Sequence, residues 1–520
     1  MSGVSARVPL ILRGADRRAR WLPWLLAAAA GAALSLAFAP LQWWPLALVC
    51  PAVLMGLWEG QTPRRAAALG FVFGAGTFGA GTWWLYISLH GYGGAPIWLA
   101  LLLMGALVAI MAAYQALAGY IAARWLPATG AWRWLAGLPA LWLLIEWWRG
   151  WFLSGFPWLS LGFSQTDTWF RGAAPVVGVY GVSALLLLGS GALVALVRGR
   201  GGRVRLVALV LLLAPWPLCL GLRYVSWTHP QGAPVTVAVL QGSIPQDLKW
   251  QAANTGPTRD LYTALNDQAL GARIIVWPES ALPQLANEIP DYLGKLWSKA
   301  NHRGSDIVMG IQHIDDNGVD AYNSIMTLSS RLGFYNKQHL VPFAEYFPVP
   351  SFVRDWLRVK NLPYSDFTPG RADQAPLAAG GILLAPSICY EDGYPAELLA
   401  RLGQAGVLVN VTDDAWFGHS GARYQHFQIS RMLAIQAQRP LVRAANDGVS
   451  AIVGPWGRVL AQAVEFRPEV LRGTVQPRAG LPPYARFGNW PVVALALLSL
   501  LLCLTVGRRS PRAQWPRNPA

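Results

Sequence analysis

Eight apolar stretches decide what this chain can become. They run roughly over residues 21–39, 42–58, 66–89, 95–123, 131–149, 174–197, 204–222 and 489–507. Each approaches the ~20 residues that cross a bilayer as a helix. A composition of 54% hydrophobic and 13% charged residues is too apolar for a water-soluble globule. Ala37-Phe38-Ala39 resembles the small-residue site where a signal peptide is cut. Pro40 would then follow the cut and a second apolar stretch begins at once, so the first stretch reads as an uncleaved helix. The dibasic Arg17-Arg18 is at most a weak twin-arginine signal.

The net charge of +16 would suit a nucleic-acid binder, but its distribution argues against one. Between residues 230 and 480 there are 21 Lys and Arg against 22 Asp and Glu. The excess lies in short tracts beside the apolar stretches, which is the pattern of membrane topology. Arg7, Arg13, Arg17, Arg18 and Arg20 precede the first stretch. Arg64-Arg65 follow the second, Arg124 and Arg133 flank the turn after the fourth, and a tract from Arg198 to Arg205 follows the sixth. Arg508, Arg509, Arg512 and Arg517 follow the eighth. The alternate connections 39–42 and 90–94 carry no base, and 150–173 carries only Arg171. The alternation predicts cytoplasmic termini and places residues 223–488 outside the cytoplasm.

Gly70, Gly74, Gly79 and Gly81 form a small-residue face suited to close helix approach. Glu146 and Arg149 stand one turn apart and are expected to pair or snorkel. The connection Gly150–Gly172 holds Trp151, Phe152, Phe156, Trp158, Phe163, Trp169 and Phe170. It reads as a loop at headgroup depth, either an aromatic belt or a ligand contact.

From Pro234 the periodicity changes. Strands are predicted at 235–241, 272–277, 306–312, 321–329, 332–338, 381–389, 406–411, 441–445, 449–454, 458–464 and 470–475, with helices at 257–270, 289–302 and 424–438. The expected organisation is a polytopic membrane domain (1–222, seven helices), an α/β sandwich domain (223–488), and an eighth helix with a tail (489–520). Within the sandwich, Ser351–Lys360 puts Phe352, Val353, Trp356 and Leu357 on one helical face. This is an amphipathic arm suited to a lipid surface, or an ordinary packed helix.

Of the four cysteines, Cys50, Cys219 and Cys503 fall in apolar stretches, so Cys389 has no disulfide partner in the polar region. It ends the apolar run from Gly381, as a strand would deliver a nucleophile to a turn. A lone Cys there also suits a core position. Two other charged groups stand at strand ends: Glu279 after Val-Trp-Pro, and Lys337 after Phe-Tyr-Asn. A carboxylate in an apolar setting serves as base for a thiol, and an ammonium stabilises thiolate or oxyanion. The backbone N–H of Tyr390 is a further candidate oxyanion donor. Trp416-Phe417, Tyr346-Phe347 and Tyr364 lie in Gly- and Pro-punctuated loops suited to wall an acyl site. His339 is a weaker rival base, and His419 and His426 lack ligand spacing for a metal.

Trp277-Pro-Glu279, Lys337-Gln-His-Leu-Val-Pro-Phe-Ala-Glu345 and Ser387-Ile-Cys389-Tyr-Glu391 resemble the Glu–Lys–Cys motifs of the nitrilase (carbon–nitrogen hydrolase) superfamily. The whole chain resembles that superfamily's bacterial apolipoprotein N-acyltransferase family, also at Gln241–Gln246 with Lys249-Trp250, Asp413–Gly418, Arg443–Gly448 and Gly155–Ser160. The resemblance implies a four-layer αββα domain and a ping-pong acyl transfer without cofactor or metal. It implies Glu279 as general base, Lys337 as oxyanion stabiliser and Cys389 as nucleophile. Glu345 matches the second glutamate, and Trp250, Tyr390 and Glu391 match positions needed for activity. The implied partners are a phospholipid donor such as phosphatidylethanolamine and an S-diacylglyceryl-cysteine apolipoprotein acceptor. The implied setting is a bacterial inner membrane, with a monomer expected. The rivals are a membrane-tethered amidase using the same triad, and a transporter or scaffold, against which the scarcity of intramembrane charge speaks.

Overall fold

The computed structural model describes residues 10–315, 317–346 and 367–509. The stretch Ser351–Lys360, Phe347 and Tyr364, and the terminal Arg7, Arg512 and Arg517, lie outside them.

Every predicted apolar stretch carries a helix: Leu10–Ser35, Leu46–Leu57, Pro63–Gly81, Ile97–Trp125, Leu138–Arg149, Ala174–Arg198, Gly202–Leu222 and Trp490–Arg509. By length and composition three segments qualify as membrane spans among the described residues: Ile97–Trp125, Trp169–Arg198 and Gly202–Leu222. Leu46–Leu57 and Trp490–Val506 are apolar but shorter. The stretch 131–149 is not one uniform helix. Arg133–Gly137 is a π-turn, and Pro139 opens the α-helix behind it, where its missing N–H breaks no bond. Helix Pro63–Gly81 packs closely against Ile97–Trp125. A Cβ at Gly70 would lie 2.3 Å from the carbonyl oxygen of Gln115, and one at Gly74 would lie 2.7 Å from Cα of Ala112. Gly79 faces open space and takes no part in that contact.

The strands are β1 His229–Pro230, β2 Val235–Gln241, β3 Ile274–Trp277, β4 Asp306–Ile314, β5 Ala321–Leu328, β6 Gly333–Asn336 and β7 Leu377–Ala379. They continue as β8 Ile382–Ile388, β9 Val407–Thr412, β10 Leu441–Ala445, β11 Ala451–Val453, β12 Val459–Gln462, β13 Glu469–Val475 and β14 Arg478–Ala479. Two six-stranded sheets result, ordered β13-β2-β3-β4-β5-β6 and β12-β11-β10-β9-β8-β7. In each, three central strands run parallel and the outer ones antiparallel. Parallel strands covered on both faces read as unbroken apolar runs, which is why Val235–Gln241 and Val407–Thr412 were legible.

The sheets bury Val237, Val239, Ile274 and Val276 of one against Ile388, Val409, Val411 and Val442 of the other. Helices Thr255–Ala269 and Pro290–His302 cover the outer face of the first sheet. Helices Pro395–Ala400 and Ala422–Ala437 cover that of the second. On its far side, Ala422–Ala437 also packs Ala422, Ile429, Met432 and Ile435 into the core of the apolar helices. Sequence periodicity missed β7, the two-residue pair β1–β14 and helix Pro395–Ala400. All are too short to show a period.

Candidate active site

Parallel strands deliver their C-terminal ends to one edge, and the predicted charged groups stand there. Glu279 lies two residues past β3, Lys337 directly past β6 and Cys389 directly past β8. Topological convergence, rather than nearness in sequence, brings them together. Lys337 Nζ lies 2.8 Å from Glu345 Oε1 and 3.6 Å from Glu279 Oε1. The ammonium is 1% exposed and Glu279 8% exposed, so this is a buried cluster of one cation between two carboxylates.

Each carboxylate is aimed by further donors. Glu279 Oε1 accepts from Asn323 Nδ2 at 2.7 Å, and its Oε2 accepts from the Asp413 backbone N–H at 3.0 Å. Asn323 also donates to Glu345 Oε1 at 3.0 Å, while Glu345 Oε2 accepts from the Val341 N–H at 2.8 Å. Asp413 is tied to Lys249, whose Nζ also donates to the Glu279 carbonyl at 3.3 Å. Burial raises the Glu279 carboxyl above its ordinary value; Lys337 opposes the rise and Glu345 adds to it. Burial pulls the Lys337 ammonium down, but Glu345 and Glu279 outweigh it and the group stays protonated. Burial, and then the charge of Glu279, hold the Cys389 thiol well above its ordinary value. That rise favours the neutral thiol over the thiolate.

Cys389 has φ +53°, a left-handed conformation in which Cβ crowds the backbone. Its turn is held by Glu391. That buried carboxylate accepts from Ile388 N–H at 2.7 Å, Gln338 N–H at 2.7 Å, His339 N–H at 3.1 Å and Tyr335 OH at 3.0 Å. Glu391 thus links the turn carrying Cys389 to the segment carrying Lys337. Burial raises its carboxyl, against the bond from Ile388.

Tyr390 reaches the other way. Its hydroxyl donates to the Gly155 carbonyl at 3.0 Å and meets the Tyr394 hydroxyl, which donates to the Ser154 carbonyl at 3.2 Å. The aromatic connection Gly150–Gly172 therefore lies against the residue after the thiol. Arg149 holds this connection: it donates to the carbonyls of Phe156 at 2.5 Å and Trp158 at 2.8 Å and to Ser160 Oγ at 3.1 Å. Glu146 accepts from Leu161 N–H at 3.3 Å. Glu146 and Arg149 are both buried, so they brace the loop instead of snorkelling.

Trp250 is half exposed, with Lys249 Nζ 5.6 Å above its ring. Trp416 is partly exposed beside Tyr92, and Phe417 packs on Trp84 with ring centroids 4.7 Å apart. Trp416 and Phe417 thus lie against the segment that carries Trp84 and Tyr92. His339 stacks on Tyr394 at 3.5 Å, with Nε2 2.8 Å from the Ser154 carbonyl and Nδ1 3.3 Å from Glu397, so its ring nitrogens are turned to other partners than Cys389. Sequence reasoning missed Asn323, Asn410 and the pair Lys249–Asp413. Lys249 and Asp413 stood in matched motifs, whereas an Asn inside an apolar strand carries no signal of its own.

Residues 30–192 match the family described as "Apolipoprotein N-acyltransferase N-terminal domain", and residues 236–480 match "Carbon-nitrogen hydrolase". A protein named apolipoprotein N-acyltransferase from Methylococcus capsulatus is 39% identical over 498 residues, covering 95% of this chain and 98% of that one. One of the same name from Pseudomonas putida is 41% identical over 500 residues, covering 94% and 98%. A third, from Nitrosomonas europaea, is 41% identical over 492 residues, covering 93% and 98%. Likeness of that extent spans the apolar helices and the two-sheet domain together, and the chain belongs to the apolipoprotein N-acyltransferase family.

Proposed function

We propose that this chain moves an acyl chain from a phospholipid to the N-terminal α-amine of S-diacylglyceryl-cysteine on an apolipoprotein, through a thioester on Cys389. The observation that carries this reading is the convergence of Glu279, Lys337 and Glu345 in one buried cluster at the strand ends beside Cys389. In this reading eight helices span a bacterial inner membrane. Residues 1–222 supply seven of them, and 489–520 the eighth and a tail. Residues 223–488 form a four-layer αββα domain on the periplasmic side. The basic tracts and the family support that orientation.

Glu279 takes the thiol proton as Cys389 Sγ attacks the sn-1 ester carbonyl of the donor, with phosphatidylethanolamine the favoured donor. Lys337 and the Tyr390 N–H stabilise the oxyanion. The ester C–O bond breaks, Glu279 returns the proton to the departing alkoxide, and lysophospholipid leaves. The acceptor amine then attacks the thioester and gives a proton to Glu279; the C–S bond breaks, Glu279 passes that proton to the departing Sγ, and the amide leaves with the Cys389 thiol restored. Glu345 orients Lys337, and Glu391 and Tyr390 fix the turn. Trp250, Trp416 and Phe417 border the acyl chain. A thioester is reactive toward amines yet forms from an oxygen ester without outside energy, provided water is kept away. One chain contains all these groups, which supports a monomer.

The test is incubation of purified protein with acyl-labelled phosphatidylethanolamine, followed by hydroxylamine treatment. Wild type should carry hydroxylamine-labile label and Cys389→Ala none. Equal label on both, or none on wild type, refutes the thioester.

A further inference from the structure

Behind the nucleophile, the second sheet carries a row of polar side chains that solvent does not reach. Ser387, Asn410 and Arg443 stand directly opposite one another on β8, β9 and β10. Each is at most 1% exposed. Asn410 Nδ2 donates to Ser387 Oγ at 3.0 Å and to the Cys389 carbonyl at 3.1 Å, while its Oδ1 accepts from Arg443 Nη1 at 2.6 Å. A guanidinium only donates, so Arg443 fixes which end of the amide faces it. The N–H₂ is thereby turned to the Cys389 carbonyl.

Arg443 is itself immobile. Its fork reaches Asp414 Oδ2 at 2.9 Å, Asp392 Oδ2 at 3.3 Å and Ser430 Oγ at 2.7 Å. His426 sits between the same two aspartates, Nδ1 2.8 Å from Asp414 Oδ1 and Nε2 3.3 Å from Asp392 Oδ1. Ser430 also meets Asp392. Two cationic side chains against two carboxylates make a compact, balanced cluster with no solvent to loosen it.

The turn at Cys389 needs such an anchor. A left-handed, β-substituted residue relaxes unless its surroundings hold it. Glu391 pins the N–H before the turn, at Ile388, and Asn410 pins the carbonyl of Cys389 itself. We propose that Asn410, locked by Arg443, is a positioning residue for Cys389: it fixes the carbonyl of the left-handed turn and so aims the thiol at Glu279 and Lys337. This rests on the reading of Cys389 as acyl carrier.

The experiment measures single-turnover acyl-enzyme formation in the purified full chain against the concentration of labelled phosphatidylethanolamine. Asn410→Leu keeps the volume and removes all three bonds of the amide. Displacement of a reacting group by about 1 Å costs roughly a hundredfold, so the maximal rate should fall about that much while half-saturation by the donor stays within about threefold. Ser387→Ala removes only one of the three, the bond to Ser387 Oγ, and should stay within about threefold of wild type in both. A wild-type rate in Asn410→Leu, with no label on Cys389→Ala, overturns the positioning role and leaves the thioester reading intact. Label on Cys389→Ala equal to that on wild type overturns the reading beneath it. If Asn410→Leu does not fold, Asn410→Asp keeps an acceptor for Arg443 and offers no N–H to the carbonyl. It should be slowed similarly, and a wild-type rate there overturns the proposal.

Discussion

Asn323 is the residue through which the acidity of the proposed base is most directly tested. It lies in the middle of β5, is 3% exposed, and spends its amide on Glu279 Oε1 at 2.7 Å and Glu345 Oε1 at 3.0 Å. Its own side-chain oxygen has no hydrogen-bond partner among the described residues, so Asn323→Leu removes two donated bonds and strands no donor. A hydrogen bond to a carboxylate favours the ionised form, and a bond to a charged group is worth about 1.5–3 kcal/mol. One amide divided between two carboxylates leaves about 1.5 kcal/mol for Glu279. At about 1.4 kcal/mol per pH unit, its loss raises the Glu279 carboxyl by about one unit beyond the rise burial already causes. The base acts ionised, so the acid limb of the rate moves the same way. Acyl-enzyme formation followed from pH 5 to 9 should show the limb about one unit higher in Asn323→Leu. Below both limbs the variant should be about tenfold slower, and on the plateau nearly equal to wild type. A limb at the wild-type pH with a lowered plateau would refute the reasoning, because Asn323 would then be placing groups without tuning the base.

Two further outcomes follow from the buried charges. His426 faces Asp414 and Asp392 on one side and Arg443 on the other. Burial and Arg443 lower its imidazolium, but the two carboxylates prevail and carry it from 6.5 to about 9. A raised value stabilises the fold fully below pH 6.5 and is lost as pH rises through 9. Wild type should therefore lose about 3 kcal/mol across that window, and thermal unfolding of His426→Gln from pH 6 to 10 should lack that loss; an unchanged slope would contradict the assignment. Glu391→Gln replaces a carboxylate that accepts from three backbone N–H groups and Tyr335 with an amide whose N–H₂ opposes such donors. Unfolding should show a loss of about 3 kcal/mol, and labelling of Cys389 should fall with it; wild-type stability would count against the linking role.

The sequence was most informative where one local signal sufficed. The unbroken apolar runs of β2, β3, β8 and β9 identified parallel strands, and the abrupt polar ends of β3 and β8 at Glu279 and Cys389 identified the edge where chemistry gathers. Lys337, after the short run Gly-Phe-Tyr-Asn, was legible only through its motif. Asn323 and Asn410 were not, because each is a lone polar residue inside a buried strand. Its meaning comes from partners on strands tens of residues away: Glu279 for one, Arg443 for the other. Spacing on a helix revealed Glu146 and Arg149 as a pair, but not the loop folded back between that helix and the next element, which both of them hold. Helix boundaries shifted at two interruptions of an apolar run, Pro139 and Gly81.

Helix Ala422–Ala437 joins these observations into one argument. One side contributes His426 and Ser430 to the cluster that holds Arg443, hence Asn410, hence the carbonyl of Cys389. The other side is fastened to the apolar helices and their loops. Gln425 accepts from Trp158 Nε1 at 2.6 Å, Gln428 accepts from Ala39 N–H at 3.1 Å, and Arg431 pairs with Asp167, its Nη1 2.9 Å from Oδ2. The connection Gly150–Gly172 meets the segment just past Cys389 again through Tyr390 and Tyr394. A triad acting on a small soluble amide has no need of this double attachment. An enzyme whose donor resides in a bilayer does, because the thiol must stand at a fixed height relative to the ester bond and its thioester must be screened from water. In the proposed reading, the attachment therefore sets the position of Cys389 against the bilayer through the same residues that set it against Glu279.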